Sequence, residues 1–127
     1  TTPQPVSLID AKKAISMFKK PEINVPVVGL VENMSCLFID GQKHYIFGKD
    51  GGKALSQNEG VSLLIQIPLE QTIREAGDVG RPAALQKSLV SKIFDDLAEK
   101  IKDTIDKRNI ELPPTKKVKI THNKGCN

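Results

Sequence analysis

The pattern of apolar and polar positions predicts two short buried strands. Residues 25–31 (Val-Pro-Val-Val-Gly-Leu-Val) and 61–67 (Val-Ser-Leu-Leu-Ile-Gln-Ile) are mostly apolar runs rich in β-branched side chains. Such runs are typical of strands that are covered on both faces of a parallel sheet. Polar residues follow the first run at 32–35, and Pro68 ends the second, because proline has no N–H to donate to a strand ladder.

Apolar residues at helical spacing predict amphipathic helices around these strands. One helix is expected from Pro5 to a point before Pro21, because proline cannot continue the helical hydrogen bonds. Its apolar stripe consists of Leu8, Ala11, Ile15 and Phe18. The longest helix is predicted over 83–108, with an apolar side formed by Val90, Phe94, Leu97 and Ile101. A helical turn over 70–76 and a loop over 77–82 are expected before it.

The segment between the two strands predicts a hairpin followed by a short helix. Asp40-Gly41 lies between 36–39 and 44–47, and this turn dipeptide between apolar runs favours a hairpin. A helix is predicted over 53–58, closed by Gly60 in a position that tolerates a left-handed backbone.

The order of these elements predicts an α/β fold with a parallel sheet. Two strands are too few for a stable doubly wound sheet, which usually has about four to six. We therefore expect the C-terminal portion of a larger, mostly parallel sheet, with the other strands upstream of Thr1. We divide the chain into a body, 1–112, and a basic tail, 113–127, in which an edge strand is predicted over 118–122.

The formal net charge of +4 arises in the C-terminal segment. From residue 107 onward there are six basic residues and one acid, so the preceding body carries −1. A short basic tail without interleaved aromatic residues is weak evidence for nucleic-acid binding, and a solvated or partner-docking tail is the better interpretation. No segment approaches the roughly 20 apolar residues of a membrane span, and no secretory signal begins the chain. We expect a soluble, cytoplasmic protein that is a piece of a longer one.

The two cysteines, Cys36 and Cys126, have no CxxC partner. Free thiols in a reducing compartment are the expected state, with a disulfide as the alternative. His44 and His122 are the other soft ligands, but these spacings fit no zinc site, so we predict no resident metal. Cys126 lies near Lys124, which can lower the pKa of a thiol, and a transient contact with a metal or cluster is a second hypothesis for it.

Six blocks of sequence resemble the C-terminal half of Mrp/ApbC-type P-loop ATPases. They are Thr-Thr-Pro-Gln at 1–4, Leu-Ile-Asp-Ala-Lys at 8–12, Val-Gly-Leu-Val-Glu-Asn-Met-Ser at 28–35, Ile-Phe-Gly at 46–48, Ile-Pro-Leu at 67–69, and Ile-Arg at 73–74 with Gly-Asp-Val-Gly-Arg-Pro at 77–82. The resemblance implies a dimeric, MinD-like ATPase that carries or assembles iron-sulfur clusters for client or scaffold proteins. In that family the phosphate-binding loop and the Mg²⁺ and switch carboxylates precede the Thr-Thr-Pro segment. We therefore expect ATP binding by the parent protein and no ATPase activity from this chain alone.

The nucleotide-binding residues that we predict are Asn33, Pro68, Leu69 and Glu70. Ligands of open α/β sheets bind beyond the carboxyl ends of the strands, and Asn33 follows the first strand there. Its amide offers the donor and acceptor that an adenine edge requires, and the resemblance implies that it reads the base. The alternative is an Asn that merely turns the chain. Residues 68–70 are implied to line the base, while Pro68 also ends its strand, and the two roles are compatible.

Two motifs depart from what such an ATPase requires. The family usually has a Cys-Pro-x-Cys pair after Asn-Met-Ser that bridges a cluster across the dimer, whereas this chain has only Cys36 there. Two copies of one cysteine supply two sulfurs where the family has four, so the bridging site is in doubt. The segment 48–54 imitates a phosphate loop, but its spacer is one residue short and Ala54 has no hydroxyl for Mg²⁺. We interpret it as a glycine-rich start of a helix, with anion binding by its N–H groups as the minor alternative.

No catalytic residue is predicted. Arg74 and Asp78 have no neighbouring nucleophile or His partner, so we interpret them as paired surface charges. The rival to a carrier ATPase is a non-enzymatic scaffold or a ParA/MinD-like module that binds partners and shares only the fold.

Overall fold

A parallel pair of strands lies at the centre of an α/β fold in the computed structural model, which describes residues 1–115. Along the chain the elements are α1 (Pro5–Phe18), β1 (Leu30–Glu32), β2 (Leu37–Ile39), β3 (Gln42–His44), α2 (Gly51–Glu59), β4 (Leu63–Gln66), α3 (Gln71–Asp78) and α4 (Leu89–Glu111), with a 3₁₀ turn over Ala83–Leu85. The predicted strand over 118–122 lies outside the described residues.

The two central strands pair in parallel, as predicted, but they are shorter than the apolar runs that contain them. Leu30 is opposite Leu63 and Glu32 is opposite Gln66. Pairing begins where the Leu30 N–H donates to the Ser62 carbonyl oxygen (2.8 Å). Residues 25–29 precede that point and are only partly covered, so the predicted burial on both faces was wrong for them. The strand instead includes Glu32, which the sequence had assigned to the following polar segment.

A hydrophobic core joins α1 and α2 to the sheet. Its buried members are Ile15, Leu30, Leu55 and Val61, and the half-buried side chains packed against them include Leu8, Ala11, Val27 and Leu63. The helix α1 begins at Pro5 and ends before Pro21, as predicted, although Phe18 at its last turn is 37% exposed. The helix α2 is longer than predicted and is closed by Gly60, whose φ of 64° is left-handed.

The hairpin forms with its second strand two residues earlier than predicted. Asp40 and Gly41 both have positive φ (50° and 77°), which is the geometry of tight two-residue hairpin turns. Such a turn places Ile39 opposite Gln42, so the returning strand is β3 and ends at His44.

The long C-terminal helix begins at Leu89, six residues after the predicted start. Ser88 is the N-cap residue of this helix. The Ser88 side chain accepts a hydrogen bond from the Ser91 N–H (3.2 Å), and the Ser91 side chain accepts one from the Ser88 N–H (3.2 Å). Because this capping box fixes the start, residues 83–85 form a separate 3₁₀ turn. The Lys100 Nζ donates to the Leu64 carbonyl oxygen (2.9 Å), so α4 covers the outer edge of β4. None of the helices in residues 1–115 is long and apolar enough to cross a membrane.

Candidate functional site

The chain segments that leave β1 and β4 meet at one edge of the sheet. The Ile67 N–H donates to the Glu32 carbonyl oxygen (2.8 Å), and the Ser35 N–H donates to the Ile67 carbonyl oxygen (2.9 Å). The Leu69 N–H then donates to the Cys36 carbonyl oxygen (2.7 Å). We call residues 33–36 and 67–70 the rim. It contains all the predicted nucleotide-binding residues, because the carboxyl ends of parallel strands share an edge.

Asn33 is exposed on the rim and takes part in a local turn. Its Oδ1 accepts a hydrogen bond from the Met34 N–H (2.9 Å), and Met34 has a positive φ of 55°. The turn interpretation is therefore realised. The Nδ2 group makes no hydrogen bond to any described residue, and Oδ1 has a second lone pair, so the amide retains a donor and an acceptor. The structure is compatible with both interpretations of Asn33.

The other three predicted residues are less exposed than Asn33. Pro68 is buried, while Leu69 and Glu70 are half-buried. Since β4 ends at Gln66, Pro68 does follow the end of a strand, as predicted. Glu70 is the N-cap residue of α3, although its side chain makes no capping hydrogen bond.

A cavity of about 260 Å³ lies beside the rim and is smaller than the usual range for small-molecule sites. The rim contributes Cys36 and Pro68 to its wall, the hairpin segment contributes Tyr45, and Asp50 and Gln66 also line it. Cys36 is a free thiol in the described part of the chain and is only 6% exposed.

Glu32 is a buried acid that the sequence pattern did not identify as important. Its side chain is 0% exposed. One carboxylate oxygen, Oε1, accepts from Gln66 Nε2 (2.7 Å), and the other, Oε2, accepts from the Gly52 N–H in the first turn of α2. The N-terminal end of a helix carries partial positive charge, so the carboxylate lies where negative charge is stabilised. The only sequence signal for this contact was an acid directly after an apolar run, with a Gly-Gly pair further along.

The segment that imitates a phosphate loop is the start of α2, as predicted. Asp50 is the N-cap residue with a left-handed backbone (φ 58°), and the helix begins at Gly51. The Gly52 N–H, which a bound phosphate would use, already donates to Glu32. A Cβ atom on Gly52 would come within 2.6 Å of Glu32 Oε2, so this contact requires glycine.

The remaining candidate residues do not form a site in the described structure. Arg74 and Asp78 form an exposed ion pair on α3 (2.6 Å), which confirms their interpretation as paired surface charges. His44 is exposed at the end of β3. Within residues 1–115, no group of three or more His, Cys, Asp or Glu side chains is arranged to hold a metal ion. His122 and Cys126 lie outside the described residues.

Thr1 bonds to the edge of β1 that faces away from β4. The Thr1 nitrogen donates to the Val31 carbonyl oxygen (3.0 Å), and the Asn33 N–H donates to the Thr1 carbonyl oxygen (2.8 Å). Thr1 therefore bonds to Val31 and to Asn33, the two neighbours of Glu32. This is how one residue pairs with a strand in a parallel ladder.

Comparison with known proteins identifies relatives for most of the chain. The family model described as ParA, NUBPL iron-transfer P-loop NTPase, matches residues 1–102. The chain is similar to the iron-sulfur cluster carrier protein of Pyrococcus horikoshii, with 48% identity over 104 residues, 80% of this chain and 35% of that protein.

Two eukaryotic relatives show comparable identity. One is the Arabidopsis thaliana protein named iron-sulfur protein required for NADH dehydrogenase, mitochondrial, with 44% identity over 105 residues, 80% of this chain and 33% of that protein. The other is the iron-sulfur cluster transfer protein NUBPL of Mus musculus, with 44% identity over 89 residues, 68% of this chain and 27% of that protein. The chain thus spans about a third of the length of the curated relatives it matches.

Proposed function

Because this chain belongs to the NUBPL iron-transfer P-loop NTPase family, we propose that it is the C-terminal part of an ATP-binding iron-sulfur cluster carrier. Its cargo would be an iron-sulfur cluster, passed to client or scaffold proteins. The segment would supply the base-side wall of the nucleotide site and part of a homodimer surface. It would be inactive alone, because triphosphate binding draws on a phosphate-loop Lys, backbone N–H groups and Mg²⁺ that this segment does not provide.

The rim is the observation that carries this proposal. Asn33 and residues 68–70 lie together where ligands of α/β sheets bind, and the exposed Asn33 amide retains a donor and an acceptor. An adenine presents a complementary donor and acceptor on one edge, whereas a guanine presents a different pattern. The rim therefore suits recognition of a base better than recognition of phosphates.

The hydrogen bonds of Thr1 support the proposal that further strands precede this segment in the parent protein. They continue the sheet at the free edge of β1. The opposite edge of the sheet, at Leu64 of β4, is contacted by α4. A parallel strand leading into Thr1 would complete this ladder. The phosphate loop would belong to that upstream part.

We propose that the chain divides into a body, 1–112, and a tail, 113–127, in a cytoplasmic protein.

Binding of an iron-sulfur cluster would differ from the family pattern, in which a Cys-Pro-x-Cys pair from each subunit holds the cluster. Cys36 is a single buried thiol, and a dimer would bring only two copies of it. We therefore propose that a cluster bound by the parent protein draws at least two of its four ligands from outside residues 1–115.

Substitution of Asn33 in the longer protein tests the role of the rim. Asn33→Ala is expected to weaken ATP binding by about three- to tenfold, the effect of losing one or two net hydrogen bonds, and to reduce the preference for ATP over GTP. Calorimetric titration with each nucleotide measures both effects. Asn58→Ala, on the exposed face of α2, is the matched control and should leave both affinities unchanged. Equal affinities of Asn33→Ala and wild type would exclude Asn33 from the base site.

A further inference from the structure

Glu32 connects three parts of the fold through one buried side chain. It belongs to β1, one of its oxygens accepts from Gln66 on β4, and the other accepts from the first turn of α2. A buried carboxylate is costly unless hydrogen bonds compensate for its lost hydration. Both oxygens are bonded here, so removal of the side chain would leave the buried Gly52 N–H and the partly buried Gln66 amide without their acceptor.

The arrangement has the chemistry of an oxyanion site that is occupied by the protein itself. Helix N-termini bind phosphate, sulfate and carboxylate groups through N–H groups and the helix dipole. In this molecule the Gly52 N–H and the Gln66 Nε2 converge on the Glu32 carboxylate, which solvent does not reach. The Gly52 N–H in the first turn of α2 is therefore closed to an external anion.

The same contacts fix two walls of the cavity beside the rim. Gln66 lines that cavity and donates directly to Glu32. Asp50 lines it too and stands two residues before Gly52. Cys36 is buried and lines the same cavity between these walls.

We propose that Glu32 is an internal oxyanion and a positioning residue, which docks the first turn of α2 onto the ends of β1 and β4 and thereby keeps Cys36 enclosed. This role goes beyond the proposed function and does not depend on whether Asn33 binds a nucleotide. Loss of the side chain creates an empty site of defined chemistry, with the Gly52 N–H at the start of α2, the Gln66 amide at the end of β4, and room for a small carboxylate.

Chemical rescue of Glu32→Ala in the longer protein tests the proposal. The variant should exchange the Gly52 amide hydrogen about tenfold faster than wild type, because a hydrogen bond to a charged group is lost. It should also react about tenfold faster with iodoacetamide at Cys36, since enclosure of the thiol depends on the same bond. Sodium formate should slow both processes several-fold, whereas sodium chloride at the same ionic strength should not. Mass spectrometry of the peptides that contain Gly52 and Cys36 measures both rates.

Leu55→Ala is the matched control, because Leu55 is a buried residue of the same helix that contributes no charge. The Leu55→Ala variant should also exchange the Gly52 amide hydrogen faster than wild type. Formate and chloride should have the same effect on that rate. If formate and chloride act alike on Glu32→Ala, the internal-oxyanion role is wrong. An unchanged Cys36 rate in that variant would overturn the positioning role.

A milder variant keeps the proposal testable if Glu32→Ala does not fold. Glu32→Gln retains an oxygen for the Gly52 N–H but removes the charge that strengthens the bond. Exchange of the Gly52 amide should then be several-fold faster than in wild type. Exchange at the wild-type rate would refute the requirement for an anion at this position.

Discussion

Gly52 shows at the scale of a single residue how closely α2 approaches β1. We predict that Gly52→Ala lowers the free energy of unfolding by about 1–3 kcal/mol, because the added methyl group would displace the buried Glu32 side chain. Gly77→Ala is the matched control, because Gly77 lies within α3 and no atom is within 4 Å of an added Cβ. Since alanine favours the helix over glycine, this variant is expected to raise the free energy of unfolding by up to about 1 kcal/mol. Urea unfolding of both variants measures the difference. A Gly52→Ala variant as stable as wild type would contradict the tight contact with Glu32.

Residues at strand ends were predictable, whereas the buried polar contact was not. The locations of Asn33 and Pro68 on one edge follow from two parallel strands, so an apolar pattern was sufficient to predict them. The importance of Glu32 depends on Gly52 and Gln66, which are 20 and 34 residues away in sequence. No local pattern contains that information, and an acid after an apolar run is typical of the start of a loop.

At the scale of secondary structure, the capping box determines where α4 begins. Ser88→Ala is predicted to cost about 1 kcal/mol of stability, because the Ser91 N–H in the first turn loses its acceptor. Ser16→Ala, at an exposed position inside α1, should change stability by less than about 0.5 kcal/mol. Thermal or urea unfolding of the two variants in parallel tests this expectation. Equal stability of the two variants would mean that the box does not define the helix start.

The elements were predicted well where a local signal fixes their ends. Pro21 and Gly60 correctly predicted the ends of α1 and α2, since each acts through its own backbone. The start of α4 was predicted too early because its apolar stripe, which begins at Val90, does not fix the first residue of the helix, whereas the Ser88 cap does. The strand β1 was predicted too early as well, since the length of a strand depends on where its neighbour begins to pair.

At the scale of the whole molecule, this chain is expected to bind nucleotide only when it is part of the longer protein. We predict no measurable binding of Mg-ATP by the 127-residue chain alone, and a Kd of about micromolar order for the parent protein, which corresponds to about 8 kcal/mol. Titration of the two proteins under the same conditions tests this difference. Tight Mg-ATP binding by the short chain would show that its own residues hold the triphosphate.

Membership in the carrier family was predictable from the sequence, because six blocks in fixed order resemble one family. The match over residues 1–102 and the relatives named iron-sulfur cluster carriers confirm that interpretation. The roles of Asn33 and residues 68–70 in nucleotide binding stay predictions. The cytoplasmic location also stays a prediction, and one relative's name places that relative in mitochondria.

The two ends of the hairpin lie close together, since Leu37 and His44 are register partners. Paired residues of antiparallel strands are only about 5 Å apart, so the distance across the base of the hairpin does not depend on how many residues it contains. The tip of the hairpin can therefore gain or lose residues while Leu37 and His44 stay paired at its base.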